Sequence, residues 1–321
     1  MGETSWAQRA VDNFFKGREC PTRIECDQIA RSVSDALDVY NVDTPGAMTY
    51  TVVCTKQYTI LMAPRSVTWD LLTIFEEDFD QETGAFQHTT FAVIDEDDIA
   101  YFGTLNYRKH DITLEQLTSA LTPISDHDFF PPWDEKLTRA PDALPPNIYV
   151  KRPDLVLYGV FQEHNALRLI PEGLFEEVKA MEMLSQHPHP NIIYYYGCRV
   201  RRGRITGLIL ERHSYTLTDY LKNKVKSVDK EPFMEALKSA IRHLHSLDWA
   251  HNDLNPGNVL VNEAGMPILI DFGSARRIGT KLGTSRGTKG WIDGEIKDYH
   301  TSDYRHDLSA LEKIHTWLDK S

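Results

Sequence analysis

The chain has 321 residues, 41% of them hydrophobic and 10% aromatic, with 47 acidic against 35 basic side chains and a formal net charge of −12. That is enough apolar material for one large or two medium domains with a substantial core, and the acidic balance excludes a general affinity for nucleic acid or anionic lipid, both of which need clustered cations. No run approaches about eighteen apolar residues, the first residues lack a basic-then-apolar leader, and Cys20, Cys26, Cys54 and Cys198 form no C-x-x-C pair, so the expectation is a soluble cytoplasmic or nuclear protein with reduced thiols, no zinc site, and no membrane or nucleic-acid partner.

In chain order, the N-terminal region reads as two helical stretches, Trp6–Phe15 and Arg23–Val39, and a β-hairpin over Thr49–Leu61. A mixed segment follows from Thr90 to Leu121, with an acidic turn at Asp95–Asp98 and a helix beginning near Thr113. Phe129 to Pro146 is rich in proline. Asn147–Lys151 then alternates like a strand and ends on a lysine. Tyr194–Tyr196 reads as a strand with alternating buried rings, and Arg199, Arg201, Arg202 and Arg204 surround Gly203 in a tight turn, where charge is ordinarily a solvated tip. Leu208–Arg212 reads as a buried strand running into a polar connector, with a short helix at Leu217–Leu221. From Pro232 to Leu247, apolar residues recur every three or four positions like a helix packed on a core. Val259–Val261 and Ile268–Ile270 flank the polar turn Asn262–Gly265 and predict a hairpin.

That hairpin joins two motifs. His251-Asn252-Asp253-Leu254-Asn255-Pro256-Gly257-Asn258 precedes it, and Asp271-Phe272-Gly273 follows, so Asn258 and Asp271 come to the same edge. Phosphoryl transfer needs one carboxylate to orient the attacking hydroxyl, and an amide and a second carboxylate to hold Mg²⁺ against nucleotide phosphates. Asp253, Asn258 and Asp271 fit those roles. The plain alternative, an Asx-rich turn before an Asp-ended strand, has to explain the coincidence of both motifs at this spacing.

Here the chain resembles the eukaryotic protein kinases, whose catalytic loop H-R-D-x-x-x-x-N and D-F-G triplet it repeats with Asn252 in place of Arg. Gly287-Thr288-Lys289-Gly290-Trp291-Ile292-Asp293-Gly294-Glu295 is similar to the end of a kinase activation segment, with Gly294 where Pro is usual. Asp307 with Leu308, Leu311, Ile314, Trp317 and Leu318 is similar to the central helix of the large lobe. Upstream, Glu177–Leu184 and His189-Pro190-Asn191-Ile192-Ile193 resemble the kinase αC helix and its following turn. The resemblance implies a strand lysine, Lys151, paired with Glu177, with Glu176 as rival; a solvated lysine and an exposed glutamate are the plain alternative. It implies a hinge at Leu210, Glu211 and Arg212 that meets adenine. From Val150 to Asn258 the wording is most like small fungal serine/threonine-kinase-like proteins. In the N-terminal region, Glu19–Ala30 and Thr49–Val53 are similar to another fungal phosphotransferase-like group, and an extension packed on the small lobe is the alternative.

The pattern also departs from the family. No G-x-G-x-x-G precedes Lys151. Asn252 removes the cation that receives a phosphorylated loop, which predicts activation without loop phosphorylation. Asn255 stands where serine/threonine kinases carry a lysine near the γ-phosphate, which predicts slower turnover or a different acceptor. Asp154–Ala166 has to loop out between Lys151 and Glu177. His187-Pro188-His189-Pro190 and His243-Leu244-His245 are read as structural, and the basic residues Arg276, Arg277, Lys281, Arg286 and Lys289 as loop charge or as an attraction for an acidic substrate.

The expectation is therefore an α+β, two-lobed protein-kinase-like fold with an abbreviated large lobe. Residues 138–321 form the kinase-like domain, divided near residue 211, after an α/β extension over residues 1–137. The expected activity is ATP- and Mg²⁺-dependent transfer to Ser or Thr of a protein. Asp253, Lys151, Glu177 and Asn255 lie at the catalytic centre, Leu210, Glu211, Arg212, Lys151 and Asp271 at the nucleotide, and Asn258 and Asp271 at the metal. A small-molecule kinase and a nucleotide-binding pseudokinase scaffold are the alternatives.

Overall fold

A computed structural model describes residues 67–320 apart from residues 81, 157, 284, 285 and 295–298. The helices expected at Trp6–Phe15 and Arg23–Val39, the hairpin at Thr49–Leu61, and Glu295 lie outside the described residues. Those described fall into two compact units, residues 67–95 with 99–123, and residues 96–98 with 124–320. No helix among them is long and apolar enough to cross a membrane.

The first unit is an antiparallel sheet of β1 (Leu72–Phe79), β2 (Phe86–Ile94), β3 (Ala100–Leu105) and β4 (Thr122–Pro123), in that order, with helix α1 (Leu114–Ala120) packed on it. Phe91, Val93, Tyr101 and Leu117 form its core. Helix α1 begins at Thr113, whose hydroxyl accepts the Gln116 N–H while the Gln116 side chain accepts the Thr113 N–H, a reciprocal cap that fixes the start. Gly103 lets the helix come close, because a Cβ there would sit 2.5 Å from the Phe91 ring and 2.7 Å from the Ala120 carbonyl oxygen.

The second unit is an α+β kinase-like fold of helices and short antiparallel sheets. After α2 (Asp126–Phe129), strand β5 (Ile148–Lys151) leads through α3 (Tyr158–Glu163) into α4 (Leu169–Ser185). The gap read from sequence as a loop thus holds a short helix, seated by the buried ring of Tyr158. Strands β6 (Tyr195–Arg201) and β7 (Arg204–Glu211) complete a sheet of order β5–β7–β6. At the start of β6 Tyr195 points inward, while Tyr196 and Tyr194, the residue before the strand, meet edge-on outside. The β6–β7 turn has φ of 49° at Arg202 and 70° at Gly203, the paired left-handed residues that a two-residue hairpin demands.

The rest of the unit begins with β8 (Tyr215–Thr216), α5 (Leu217–Lys222) and α6 (Lys230–Ser246). Helix α6 buries Phe233, Met234, Leu237, Ile241 and Leu244 on one stripe, as its periodicity predicts. Strands β9 (Trp249–Ala250) and β12 (Arg276–Arg277) pair, and between them β10 (Val259–Val261) and β11 (Pro267–Leu269) form the expected hairpin, with Val259 opposite Leu269. Asn262 caps its turn, its side-chain oxygen accepting the N–H groups of Ala264 and Met266. Helix α7 (Tyr304–Leu318) buries Asp307, Ala310, Leu311 and Ile314. Leu308, read as part of that stripe, is instead 43% exposed. One apolar cluster runs from α4 through β7 and α6 to α7, so the elements bearing the site share a single core.

Candidate active site

Asp307, fully buried, accepts the backbone N–H groups of His251 and Asn252, each at 2.8 Å, and meets His245 Nε2 at 2.8 Å. The start of the loop 251–258 is therefore held by a carboxylate on α7. His251 takes one tautomer: its Nδ1 accepts the Asp253 N–H at 3.3 Å, and its Nε2 donates to the Ile270 carbonyl at 2.9 Å. Its ring meets Phe272 edge-on at 5.2 Å, binding the loop to the triplet that begins at Asp271.

Asp253 is surrounded by neutral donors. Thr288 Oγ1 donates to its Oδ1 at 2.7 Å, Asn255 Nδ2 lies 3.3 Å from Oδ1, and Asn258 Nδ2 lies 3.3 Å from Oδ2 and 2.8 Å from the Asp253 carbonyl. Burial pushes this carboxyl up, against the pull of the Thr288 hydroxyl. Asn255 is absorbed into the loop, its Oδ1 accepting the Gly257 N–H at 2.9 Å and its amide also reaching the Asp253 carbonyl and Thr288. Asn258 directs its amide nitrogen at Asp253, which turns its oxygen away.

The β10–β11 hairpin brings Asn258 beside Asp271, with the Ile270 N–H donating to the Asn258 carbonyl at 3.0 Å. Asp271 has a left-handed backbone, φ 62°. Its Oδ1 accepts from Lys151 Nζ at 2.9 Å and from the Gly273 N–H at 3.4 Å. Lys151 also donates to Glu177 Oε1 at 2.7 Å, and the Phe272 N–H donates to that same oxygen at 3.2 Å. Burial alone would lower the Lys151 ammonium, but Glu177 and Asp271 outweigh it and hold it above its ordinary value. Burial likewise opposes ionisation of Asp271, yet Lys151 keeps it below the usual carboxylate range. Glu177 is pushed up by burial, with Lys151 opposing.

Glu176, the rival partner, turns elsewhere: it lies 3.4 Å from Arg276 Nε and 2.6 Å from Lys179 Nζ. Arg276 in turn donates to the carbonyls of Gly273 and Ala275. Neighbouring glutamates on α4 thus hold both Lys151 and the segment after Gly273.

Asn252 was legible in sequence only as a missing cation. In the structure it is a buried hub with φ 64°. Its Nδ2 donates to the carbonyls of Ala250 and Ser274 and to Ser302 Oγ at 2.9, 3.1 and 3.0 Å. Its Oδ1 accepts from the Asp303 N–H at 3.3 Å and lies 3.1 Å from His306 Nδ1. Ser302 extends the network to the Arg276 carbonyl, and backbone bonds join Gly279, Thr280 and Leu282 to residues 300–302. Further on, Gly287 has φ 67°, and a Cβ there would lie 2.3 Å from Ile292 Cγ2, so the turn beneath Thr288 requires glycine.

At the expected hinge, Leu210 is buried, the Glu211 N–H donates to the Tyr194 carbonyl, and the Arg212 carbonyl accepts from Asn147 Nδ2. These bonds occupy one backbone donor and one backbone acceptor of the connector. The arginine-rich turn is more than the solvated tip expected, for residues 201–203 are exposed yet Arg199 and Arg202 are paired. Arg199 Nε lies 2.6 Å from Asp98 Oδ2, Arg152 Nη2 lies 2.6 Å from Asp98 Oδ1, and Arg202 pairs with Asp126 at 2.6 Å. Asp98 is fully buried and also accepts from Thr206 Oγ1 at 3.0 Å. Sequence reasoning missed this centre because its members lie far apart along the chain; it also missed the Thr288–Asp253 contact, for which the G-T-x-x-W pattern was the available signal. His243 lies 2.7 Å from the His187 carbonyl and His189 lies 3.1 Å from Ser239, ties between α6 and the turn after α4. Cys198 is buried beside the Tyr195 hydroxyl at 3.1 Å, and burial pushes its thiol up to about 12.

A strand lysine held by a helix glutamate, beside a loop that carries Asp253 and Asn258 and a triplet that begins at Asp271, is a protein-kinase-like arrangement. Residues 158–312 match the protein kinase domain family, and the chain carries a domain of that superfamily. It is similar to serine/threonine-protein kinase/endoribonuclease IRE1 of Hypocrea jecorina, 34% identical over 127 residues that cover 34% of this chain and 10% of the relative. It is also similar to serine/threonine-protein kinase TAO3 of Xenopus laevis, 32% identical over 127 residues (37% of this chain, 13% of the relative). A third relative is the sensor for unfolded proteins in the ER ire1 of Schizosaccharomyces pombe, 25% identical over 173 residues (46% and 16%). The chain spans only 10 to 16% of the length of these relatives.

Proposed function

We propose that the chain is an ATP- and Mg²⁺-dependent protein serine/threonine kinase. The observation that carries this reading is Lys151 Nζ held between Glu177 and Asp271 at 2.7 and 2.9 Å, a preorganised cation beside a carboxylate at the cleft. The donor set suits a hard cation, since the Asn258 amide oxygen is turned away from Asp253 and the Lys151 and Gly273 bonds both go to a single oxygen of Asp271. When bound, Mg²⁺ neutralises charge on the phosphoryl oxygens of the nucleotide. Lys151 binds the α- and β-phosphates, kept in place by Glu177.

Asp253 orients the acceptor hydroxyl and takes its proton. Its raised affinity for protons suits that role. Asn255 contributes a neutral amide where a lysine would add charge beside the transferring group, so the reading includes slow turnover. Thr288 seats the end of the activation segment on Asp253. That contact favours a protein acceptor over a small molecule, as does the similarity to proteins named as serine/threonine-protein kinases.

The test is phosphate transfer from ATP to a panel of Ser- and Thr-containing protein substrates by purified protein, alongside Asp253→Ala. Transfer that falls at least about 100-fold in the variant supports the reading; equal rates would remove Asp253 from the chemistry. Nucleotide binding without any transfer would favour the pseudokinase alternative, which the lack of a G-x-G-x-x-G before Lys151 supports.

A further inference from the structure

In the sheet β5–β7–β6 the outer strand β6 is flanked by a segment that has no part in the site described above. Residues 131–140 run along the β6–β7 hairpin. The Ile205 N–H donates to the Pro131 carbonyl at 2.9 Å and the Trp133 N–H to the Gly203 carbonyl at 3.0 Å. Further on, the Cys198 N–H donates to the Thr138 carbonyl at 2.7 Å, and the Cys198 carbonyl accepts the Ala140 N–H at 2.9 Å. Trp133 and Leu137 pack against the main core. The approach is close enough to need a glycine: Gly197 has φ 128°, and a Cβ there would lie 2.6 Å from the Ala140 nitrogen and 2.8 Å from the Thr138 carbonyl oxygen, backbone atoms that cannot swing aside.

Thr138 fastens this segment to α4. Its N–H donates to Glu182 Oε1 at 2.9 Å and its hydroxyl to Oε2 at 2.8 Å, while the Tyr195 hydroxyl donates to Oε1 at 2.9 Å. Both oxygens of one α4 carboxylate are thus held by β6 and by the segment lying on β6. Glu182 follows Glu177 by five residues on the same helix, so at 3.6 residues per turn the two side chains leave the helix about 140° apart. Glu177 takes Lys151 and the Phe272 N–H on one flank; Glu182 takes Thr138 and Tyr195 on another. A helix gripped on two flanks cannot roll about its axis, and a roll is the motion that would carry Glu177 off Lys151. We propose that residues 131–140 form a strap that positions α4, with Thr138 as the positioning residue whose hold on Glu182 keeps Glu177 on Lys151. The effect on nucleotide affinity rests on the nucleotide-binding reading above, whereas the effect on Glu177 does not.

The Phe272 amide reports where Glu177 is without any ligand, because that N–H donates to Glu177 Oε1. Its hydrogen exchange is measured by NMR on the full chain, on Thr138→Val, Thr138→Ser and Gly197→Ala, and MgATP affinity is measured on the same proteins by calorimetry. The strap predicts exchange at Phe272 about ten-fold faster in Thr138→Val, which keeps the shape and loses the hydroxyl. It should be faster again in Gly197→Ala, whereas Thr138→Ser, which keeps the hydroxyl, should stay within about two-fold of the unaltered chain. MgATP binding should weaken about ten-fold in Thr138→Val, and that loss should vanish when Glu177→Gln is already present, since changes acting through one contact do not add. An unmoved Phe272 amide in Thr138→Val would overturn the proposal, as would unmoved MgATP affinity in a chain that binds it. A loss of the same size with or without Glu177→Gln would also overturn it, marking a general weakening of the fold. If Gly197→Ala does not fold, Thr138→Val decides. If the unaltered chain binds no MgATP, the nucleotide reading falls, and exchange at Phe272 still decides the strap.

Discussion

Thr288 Oγ1 donates a 2.7 Å hydrogen bond to Asp253 Oδ1, so the end of the activation segment rests on the side chain assigned to the acceptor hydroxyl. The hydroxyl opposes the upward push of burial on that carboxyl. Thr288→Val removes the donor, and Asp253 then holds its proton to higher pH. The acid limb of kcat/KM should move upward by about half a unit to one unit. Matched pH–rate profiles measure this, and an unmoved limb contradicts the coupling.

Lys151→Met should cost stability as well as nucleotide affinity. It leaves Glu177 buried without its counter-charge and removes the bond to Asp271. The loss near neutral pH should be about 3 kcal/mol. Glu177 is already raised above 4.5 by burial, and loss of Lys151 raises it further. Above that value the unfolded chain has released a proton that the folded variant still binds, so the variant's stability falls as pH rises. Urea melts near pH 5 and pH 8 should therefore show the larger deficit at pH 8.

Asn252→Ala should loosen the activation segment from its anchor. The buried Ser302 hydroxyl, Asp303 N–H and His306 ring each lose a partner, and alanine tolerates φ of 64° less well than asparagine. A cost of about 2–4 kcal/mol is expected. Hydrogen exchange should quicken in residues 274–282 and 299–303 ahead of the helices. Protection unchanged in those segments would show that the hub is not what holds them.

Asp98→Ala strands the guanidinium groups of Arg152 and Arg199, and should destabilise the chain by about 3–5 kcal/mol. Asp98→Asn keeps the shape and should cost less. Arg152 follows Lys151 directly, so affinity for MgATP should drop in the alanine variant; chemical denaturation and nucleotide titration check the two effects separately.

The arrangement of the candidate site was legible where it is local. Asp253, Asn258 and Asp271 sit at spacings set by one loop and one hairpin, and the 3.6-residue period of α6 and the alternation of β5 placed their neighbours. What sequence could not supply was partnership across distance. Asn252 read as a loss because its acceptors, Ser274 and Ser302, come from elsewhere in the chain. The arginines around Gly203 read as solvated because Asp98 and Asp126 lie far upstream. Lys151 and Glu177 stand twenty-six positions apart, and the short helix α3 between them has only six residues in which to show a period.

Asp307 carries a further consequence. It gathers two backbone amides and a histidine from the loop region onto a helix that comes more than fifty positions later. The smallest excised fragment that keeps this machinery in working order must therefore extend through α7. A fragment cut between Asp271 and Asp307 would retain every residue assigned to nucleotide and metal, yet lose the footing on which the loop is built.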